Sequence, residues 1–278
     1  MGKIAAMPTS LPLAEGKGWS VAEVVCTAGP RDRPFEEQHS RFSLAVVLSG
    51  SFQYRSTIGT RELMTPGSIL LGNAGECFEC GHEHGVGDRC LAFRFSPEYF
   101  ERVAADAHGA PNFRVHRLPP LRATSAVIAR ASAALAGSIG AGPGWDELGI
   151  QLAARVVRVA DGLQPNRYAA PPHALARVTS AVRRIERDPA ADLNLAELSR
   201  GAGLSPYHFL RTFQKLTGVT PHQFVLRRRL REAALRLASQ REKVLDIALD
   251  CGFGDLSNFN HAFRAEFGVS PLVFRRNA

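Results

Sequence analysis

The sequence predicts an α+β, multidomain chain: a small β-barrel or sandwich with trailing helices, then an all-α domain carrying two helix-turn-helix motifs joined by a long helix. Three observations carry this expectation. Short β-branched and aromatic runs broken by turns fill residues 19–95. A proline-containing stretch, 164–172, cannot continue a helix and reads as a linker. Beyond it the chain says one phrase twice: Phe209, Phe213, Gly218, Pro221 and Phe224 return as Phe259, Phe263, Gly268, Pro271 and Phe274, each 50 positions on.

In chain order, the expected strands are 21–26, 43–48, 52–57, 68–71 and 90–95. The turns between them fall at Ser49-Gly50, Ile58-Gly59-Thr60, Pro66-Gly67 and Gly72-Asn73-Ala74-Gly75. Ser96 and Pro97 form an N-cap and first-turn pair opening a helix to about Ala107. Helical patterns over 122–138 and 145–163 would bridge to the second domain or pair with a second subunit. Residues 1–163 are thus expected to form one domain and 173–278 another. In the latter, a lead helix over 174–187 precedes helix-turn-helix units at 195–217 and 244–267, and a helix over 221–240 connects them.

The totals bound the function classes. At 278 residues and 45% hydrophobic, the chain can build two cores. No apolar run approaches the roughly 20 residues of a membrane span and residues 1–9 lack a signal peptide's apolar stretch, so a cytoplasmic location and no membrane partner are expected. Five cysteines do not make a disulfide framework and read as thiols or metal ligands. The net charge is +8, and residues 173–278 hold 17 Lys+Arg against 10 Asp+Glu, a net of +7. A positive excess confined to the repeat region is what neutralising phosphates requires, although a solvated basic face has the same composition.

The repeat implies a reader of two neighbouring stretches of DNA major groove. With Phe209, Phe213 and Leu216 inward, Tyr207, Leu210, Arg211 and Gln214 face outward; the second copy presents Leu256, Ser257, Asn260, His261 and Arg264. Arginine can fork onto guanine, Asn and Ser can read several base edges, and Leu or Tyr can touch a thymine methyl. A helix of about 20 residues at about 1.5 Å per residue holds the units roughly 30 Å apart, close to the roughly 34 Å between successive major grooves on one DNA face. That helix is itself basic: Arg227 and Arg231 share a face from which phosphates could be reached, while Arg228, Arg229 and Arg236 could instead pair with Glu232 and neighbouring acids. Partners are 49 apart before the turn and 50 after it, so the second turn carries one extra residue.

A second constellation lies at 77–90: Cys77, Cys80, His82, His84 and Cys90, interspersed with Glu79, Glu83 and Asp88. Cys80, His82 and His84 alternate, so on a strand they would share a face. Thiolate and imidazole together suit zinc or another transition metal, although buried cysteines are also ordinary small hydrophobes.

Residues 175–276 resemble the DNA-binding domain of the AraC/XylS family of bacterial transcription regulators. The resemblance is carried by Ile247-Ala248, Cys251-Gly252-Phe253, Phe259-Asn260-His261-Ala262-Phe263-Arg264 and Phe267-Gly268-Val269-Ser270-Pro271. It implies base contacts by Tyr207, Leu210 and Arg211 in the first unit and by Leu256, Ser257 and His261 in the second, where Leu210 and Leu256 depart from the polar residues often found there. Double-stranded promoter DNA is the implied partner, with RNA polymerase if the protein is an activator. The β-rich region is similar to the family's cupin-like effector domain through His39, Val46-Val47-Leu48-Ser49-Gly50, Tyr54 and Pro66-Gly67-Ser68-Ile69-Leu70. That similarity implies a barrel binding a small-molecule effector, with His39 and Tyr54 as effector-contact candidates, and helices that pair two subunits into a homodimer. The spacing of His82, His84 and Asp88 is similar to a cupin metal motif. A metal-dependent cupin enzyme fused to a DNA-binding tail is therefore the alternative reading, although the usual three-histidine-plus-carboxylate set is not evident.

Overall fold

The computed structural model describes residues 8–56, 59, 61–137, 144–166, 168 and 170–277. Residues 1–7, the expected strand end at Thr57, the turn residues Ile58 and Thr60, the expected helix end at Ser138, Arg167 and Ala169 of the expected linker, and Ala278 lie outside them.

Two antiparallel sheets face each other in the N-terminal part. The larger has the order β1 (Thr9–Gly16), β2 (Trp19–Cys26), β9 (Asp88–Phe95), β4 (Phe42–Gly50), β7 (Ile69–Gly72), β10 (Arg117–Leu118); the smaller runs β3 (Phe35–Gln38), β8 (Cys77–Gly81), β5 (Phe52–Ser56), β6 (Arg61–Met64). The larger sheet is covered on both sides, which explains the unbroken apolar run at its centre. Leu44, Val46, Ile69, Leu71, Leu91 and Phe93 point to one face and pack under helices α1 (Pro97–Asp106), α2 (Arg122–Leu135) and α3 (Trp145–Asp161). Alternating with them, Ala45, Val47, Leu70, Cys90 and Ala92 point to the opposite face, towards Phe52, Tyr54 and Phe78 of the smaller sheet. Because Ser43, Ala45 and Ala92 are small, the two sheets do not fill the space between them, and a cavity of about 410 Å³ remains. Ser96 caps α1 as expected, accepting from the Tyr99 amide, with Pro97 in the first turn.

The C-terminal part is helical: α4 (Pro172–Arg187), α5 (Leu195–Gly201), α6 (Pro206–Thr217), α7 (Pro221–Ser239), α8 (Val244–Asp250), α9 (Leu256–Phe267) and α10 (Pro271–Asn277). Its two cores are copies of one design. Phe209, Phe213 and Phe224 bury against Leu198 and Ile185 in the first, and Phe259, Phe263 and Phe274 against Ile247 and Leu230 in the second. Both α6 and α9 end at a left-handed glycine, Gly218 at φ 80° and Gly268 at φ 81°. Thr220 and Gln223 form a reciprocal capping box that starts α7.

The two parts are packed together. α2 lies between them: Val127, Ile128 and Ala131 join the core under the larger sheet, while Ala129 joins the core of the second helix-turn-helix unit. Most buried apolar positions of α2 are thus used within one chain. Leu63 of β6 enters the core of the first unit. No helix among the described residues is long and apolar enough to cross a membrane.

Candidate nucleic-acid interface and barrel cavity

α6 is placed by Ser205, whose hydroxyl accepts from the His208 amide, and by Pro206 in its first turn. With Phe209, Phe213, Leu216 and Thr217 buried, the helix presents Tyr207, which is 61% exposed, together with Arg211 and Gln214; Leu210 is half-buried beside them. Arg211 Nη1 donates to the Tyr207 hydroxyl at 3.0 Å, and its guanidinium stands 5.6 Å from the Tyr207 ring centroid. This holds the arginine head along the outer face instead of leaving it free on its stem. α9 is capped by Asp255, which accepts from the Asn258 amide at 2.7 Å and from the Asn258 side chain. Ser257, Asn260, His261 and Arg264 are exposed, and Leu256 is half-buried against the core beneath. His208 and Asn258 also lie on the exposed faces and are absent from the sequence expectation; their 50-residue offset was the signal that could have found them as a pair.

The turn between α5 and α6 holds residues 202–205 and that between α8 and α9 holds 251–255, so the second has one residue more.

Arg227 and Arg231 of α7 do not offer phosphates the shared face expected of them, and the other arginines of the helix are engaged as well. Arg227 pairs with Glu266 at 3.1 Å, Arg228 with Glu186 and Glu232, Arg231 with Glu186 at 3.2 Å, and Arg236 with Glu242 and Asp250. Arg229 donates to the carbonyls of Pro189, Ala191 and Gly252. The shared face of Arg227 and Arg231 points into the protein because acidic partners wait there on α4 and α9, which residue spacing alone cannot show. Arg264, by contrast, is exposed and has no ion pair among the described residues.

In the barrel, His39 lines the cavity and lies flat on Phe78, ring centroids 4.1 Å apart. Its Nε2 is 3.2 Å from the Tyr54 hydroxyl. Burial, then the nearby His116 and Arg94, push the imidazole down to about 4, so it is neutral. Tyr54 is fully buried behind His39 and does not line the cavity; burial, then the charge of Glu76, pushes its phenol up. Arg94 also faces the cavity; burial lowers it while Glu37 partly compensates.

The five-residue Cys/His set does not converge as the alternation suggested. β8 ends at Gly81, and His82 and His84 belong to the following turn rather than to a strand. Cys77 and Cys80 are three apart on β8 and so take opposite faces; Cys80 lines the cavity. Among the described residues, the potential ligands that come together are Cys26, His82 and Asp88, whose donor atoms lie within 4.8 Å of one another. His82 Nε2 is 2.6 Å from Asp88 Oδ1, and Cys90 Sγ is 3.2 Å from Asp88 Oδ2. Burial alone would lower the His82 imidazole, but hydrogen bonds with Asp88 and Cys26 outweigh it and raise it to about 9. The Cys80 and Cys90 thiols are pushed well up by burial and stay protonated. Cys26 lies far from the 77–90 segment in sequence; only the pairing of β2 with β9 brings it in.

A double-sheeted barrel with an internal cavity, followed by a twice-used helix-turn-helix scaffold, defines a class of two-part protein. Residues 21–156 match the description of an AraC-like ligand binding domain and residues 198–277 that of a helix-turn-helix domain. LumQ of Photobacterium leiognathi is 40% identical over 92 residues, 33% of this chain and 37% of LumQ. The HTH-type transcriptional activator AarP of Providencia stuartii is 33% identical over 91 residues, 33% of this chain and 67% of AarP. The match thus spans little more than a third of LumQ's length. Among solved structures, ToxT from Vibrio cholerae aligns over 94% of this chain and 98% of its own at 13% identity and a TM-score of 0.39. The chain belongs to the AraC/XylS family of transcription regulators.

Proposed function

We propose that this protein is a sequence-specific DNA-binding transcription regulator whose barrel takes a small-molecule or metal effector. One observation carries the reading: α6 and α9 share a capped scaffold and a buried phenylalanine face while presenting exposed polar faces, joined by the 19-residue α7. At about 1.5 Å per residue α7 is roughly 28 Å long, compatible with adjacent major grooves. The base-reading groups are Tyr207, Leu210, Arg211 and Gln214 in the first unit and Leu256, Ser257, Asn260, His261 and Arg264 in the second. The half-buried Leu210 and Leu256 would give apolar contacts only. Since the faces differ, the two half-sites differ.

The domains divide at 164–172. His39 belongs to the effector site directly and Tyr54 only through its contact with His39, and an occupied cavity acts on DNA binding through rings in sequence: His39, Tyr54, then His116 at 5.6 Å from Tyr54, beside Arg117, which touches α6. Promoter DNA in the cytoplasm is the partner. If the protein is an activator, as AarP is, RNA polymerase is a further partner, and a homodimer would form through α3, where Ile150 is exposed. Family membership favours this reading over a metal-dependent cupin enzyme.

The test is binding of the full chain to duplex promoter fragments over a salt series. The affinity should fall linearly on a log–log plot with a slope of about −0.9 per phosphate neutralised. Salt-independent or absent binding contradicts the reading.

A further inference from the structure

We propose that one end of the barrel cavity binds a borderline-soft divalent metal ion of the zinc class through Cys26, His82 and Asp88. The strand register makes the site. Cys26 of β2 is paired directly with Asp88 of β9, so their side chains leave the sheet on one face, the cavity face. His82 enters from the turn after β8, on the opposite sheet, and closes the third side. The three donor atoms lie within 4.8 Å of one another. Zinc-ligand bonds of about 2.0–2.3 Å hold tetrahedral donors roughly 3.3–3.7 Å apart, so this group reaches coordinating geometry by small side-chain movements.

The chemistry of the set supports a cation better than it supports packing. His82 and Asp88 side chains are 2% and 7% exposed, and burying two ionisable groups beside a thiol is costly where apolar residues would fill the volume. On binding, the Cys26 thiol and the His82 imidazolium each release a proton to solvent and the His82–Asp88 hydrogen bond gives way to the metal, leaving one thiolate, one neutral imidazole and one carboxylate, whose two negative charges balance a divalent ion. Cys90 Sγ, 3.2 Å from the other Asp88 oxygen, would orient the carboxylate from behind. With three protein ligands, the fourth position faces the cavity, where water or a donor atom of a second ligand could sit. Cys77, on the outer face of β8, takes no part. The binding claim stands on this geometry; only its regulatory consequence rests on the reading of the barrel as the effector domain.

The experiment is titration of the chelator-treated, reduced full chain with cobalt(II), followed by zinc. The expected result is one equivalent bound, with a sulfur-to-cobalt charge-transfer band and the intense visible bands of a tetrahedral ion, bleached by one equivalent of zinc. Cys26→Ser and His82→Gln should abolish the charge-transfer band or shift the titration by more than 100-fold, and Cys90→Ala, which removes the donor to Asp88, should weaken binding roughly 10- to 100-fold, while Cys77→Ser changes nothing. Should the Cys26 or His82 variants fail to fold, alkylation of the unmodified protein decides: zinc should protect Cys26 and leave Cys77 unprotected. No charge-transfer band in the unmodified protein, a band indifferent to Cys26→Ser and His82→Gln, or no protection of Cys26 overturns the proposal. DNA binding measured on the same metal-free sample reports the regulator reading separately.

Discussion

Arg117 Nη1 donates a 2.6 Å hydrogen bond to the carbonyl of Thr217, tying the last strand of the barrel to the last residue of the first helix-turn-helix unit's outer helix. The same guanidinium pairs with Glu62 at 2.8 Å, both side chains 5% exposed. The barrel and the DNA-reading unit therefore meet at a buried charge pair.

Arg117→Ala strands a buried carboxylate at Glu62, and removing one partner of such a pair costs about 3–5 kcal/mol. Urea unfolding of the full chain should show that loss, accompanied by faster proteolysis in the 164–172 segment as the parts separate. Replacing both partners, Arg117→Met with Glu62→Leu, should recover most of the stability but not the tie to Thr217. Equal stability of Arg117→Ala and the unmodified chain would show that the pair is exposed in solution.

Arg229 holds the two helix-turn-helix units in mutual register by bonding carbonyls on both sides, Pro189 and Ala191 before α5 and Gly252 in the second turn. Charge-assisted hydrogen bonds contribute about 1.5–3 kcal/mol each, and this side chain is partly exposed. Arg229→Met is expected to cost at least about 2 kcal/mol, and Arg229→Lys should restore little because an ammonium cannot reach three carbonyls. Thermal unfolding of the three proteins checks the order.

The second turn gives a paired test. Gly252 has φ 85°, and a Cβ there would stand 2.8 Å from the Ala190 backbone, whereas one on Gly254 meets nothing within 4 Å. Gly252→Ala should destabilise by about 1–3 kcal/mol and Gly254→Ala by less than about 0.5 kcal/mol. Similar effects at both positions would place the strain elsewhere.

The repeat was legible because both copies use the same inward phenylalanines, glycine caps and prolines. Even the one-residue difference between the turns could be counted. The strands β2, β4, β5 and β9 are legible from their β-branched and aromatic residues, and β7 from an apolar Ile69-Leu70-Leu71 run set between turn signals. β8 was not: Cys77-Phe78-Glu79-Cys80-Gly81 has no β-branched residue and earns its strand by pairing with β3 and β5. The same omission misplaced His82 and His84. Cys26 escaped notice because its partners lie about 60 residues away and meet it only through sheet register. Arg228 pairs with Glu232 as its spacing suggests, but the inward turn of Arg227 and Arg231 is not legible, because side-chain periodicity shows which residues share a face and not which acids on other helices face them.

His39 predicts a pH dependence. Its surroundings are the Tyr54 hydroxyl, the Phe78 ring, His116 and Arg94, and burial first, then the two charges, hold it at about 4 against an ordinary 6.5. Between those values the unfolded chain binds the proton and the folded chain does not. Its contribution, on the order of 3 kcal/mol, is complete above pH 6.5 and is lost as pH falls towards 4. Denaturant unfolding at a series of pH values should show a steeper loss for the unmodified chain than for His39→Gln; parallel curves would mean that His39 is solvated.

Arg211 is held against Tyr207 on the face proposed to read bases. Arg211→Ala should weaken binding to the preferred site by about 1–3 kcal/mol and relax selectivity at one base pair. An equal loss on every sequence would make Arg211 a phosphate contact.

The most direct measurement is selection of binding sites for the full chain from randomised duplex DNA, followed by footprinting of the winners. Two different major-groove elements should emerge, protected on one face of the duplex and centred about 10–10.5 base pairs apart, with Arg211→Ala changing the first and His261→Ala only the second. No enriched sequence, a single element, or two identical elements would contradict the assignment of α6 and α9 as paired and unlike readers of DNA.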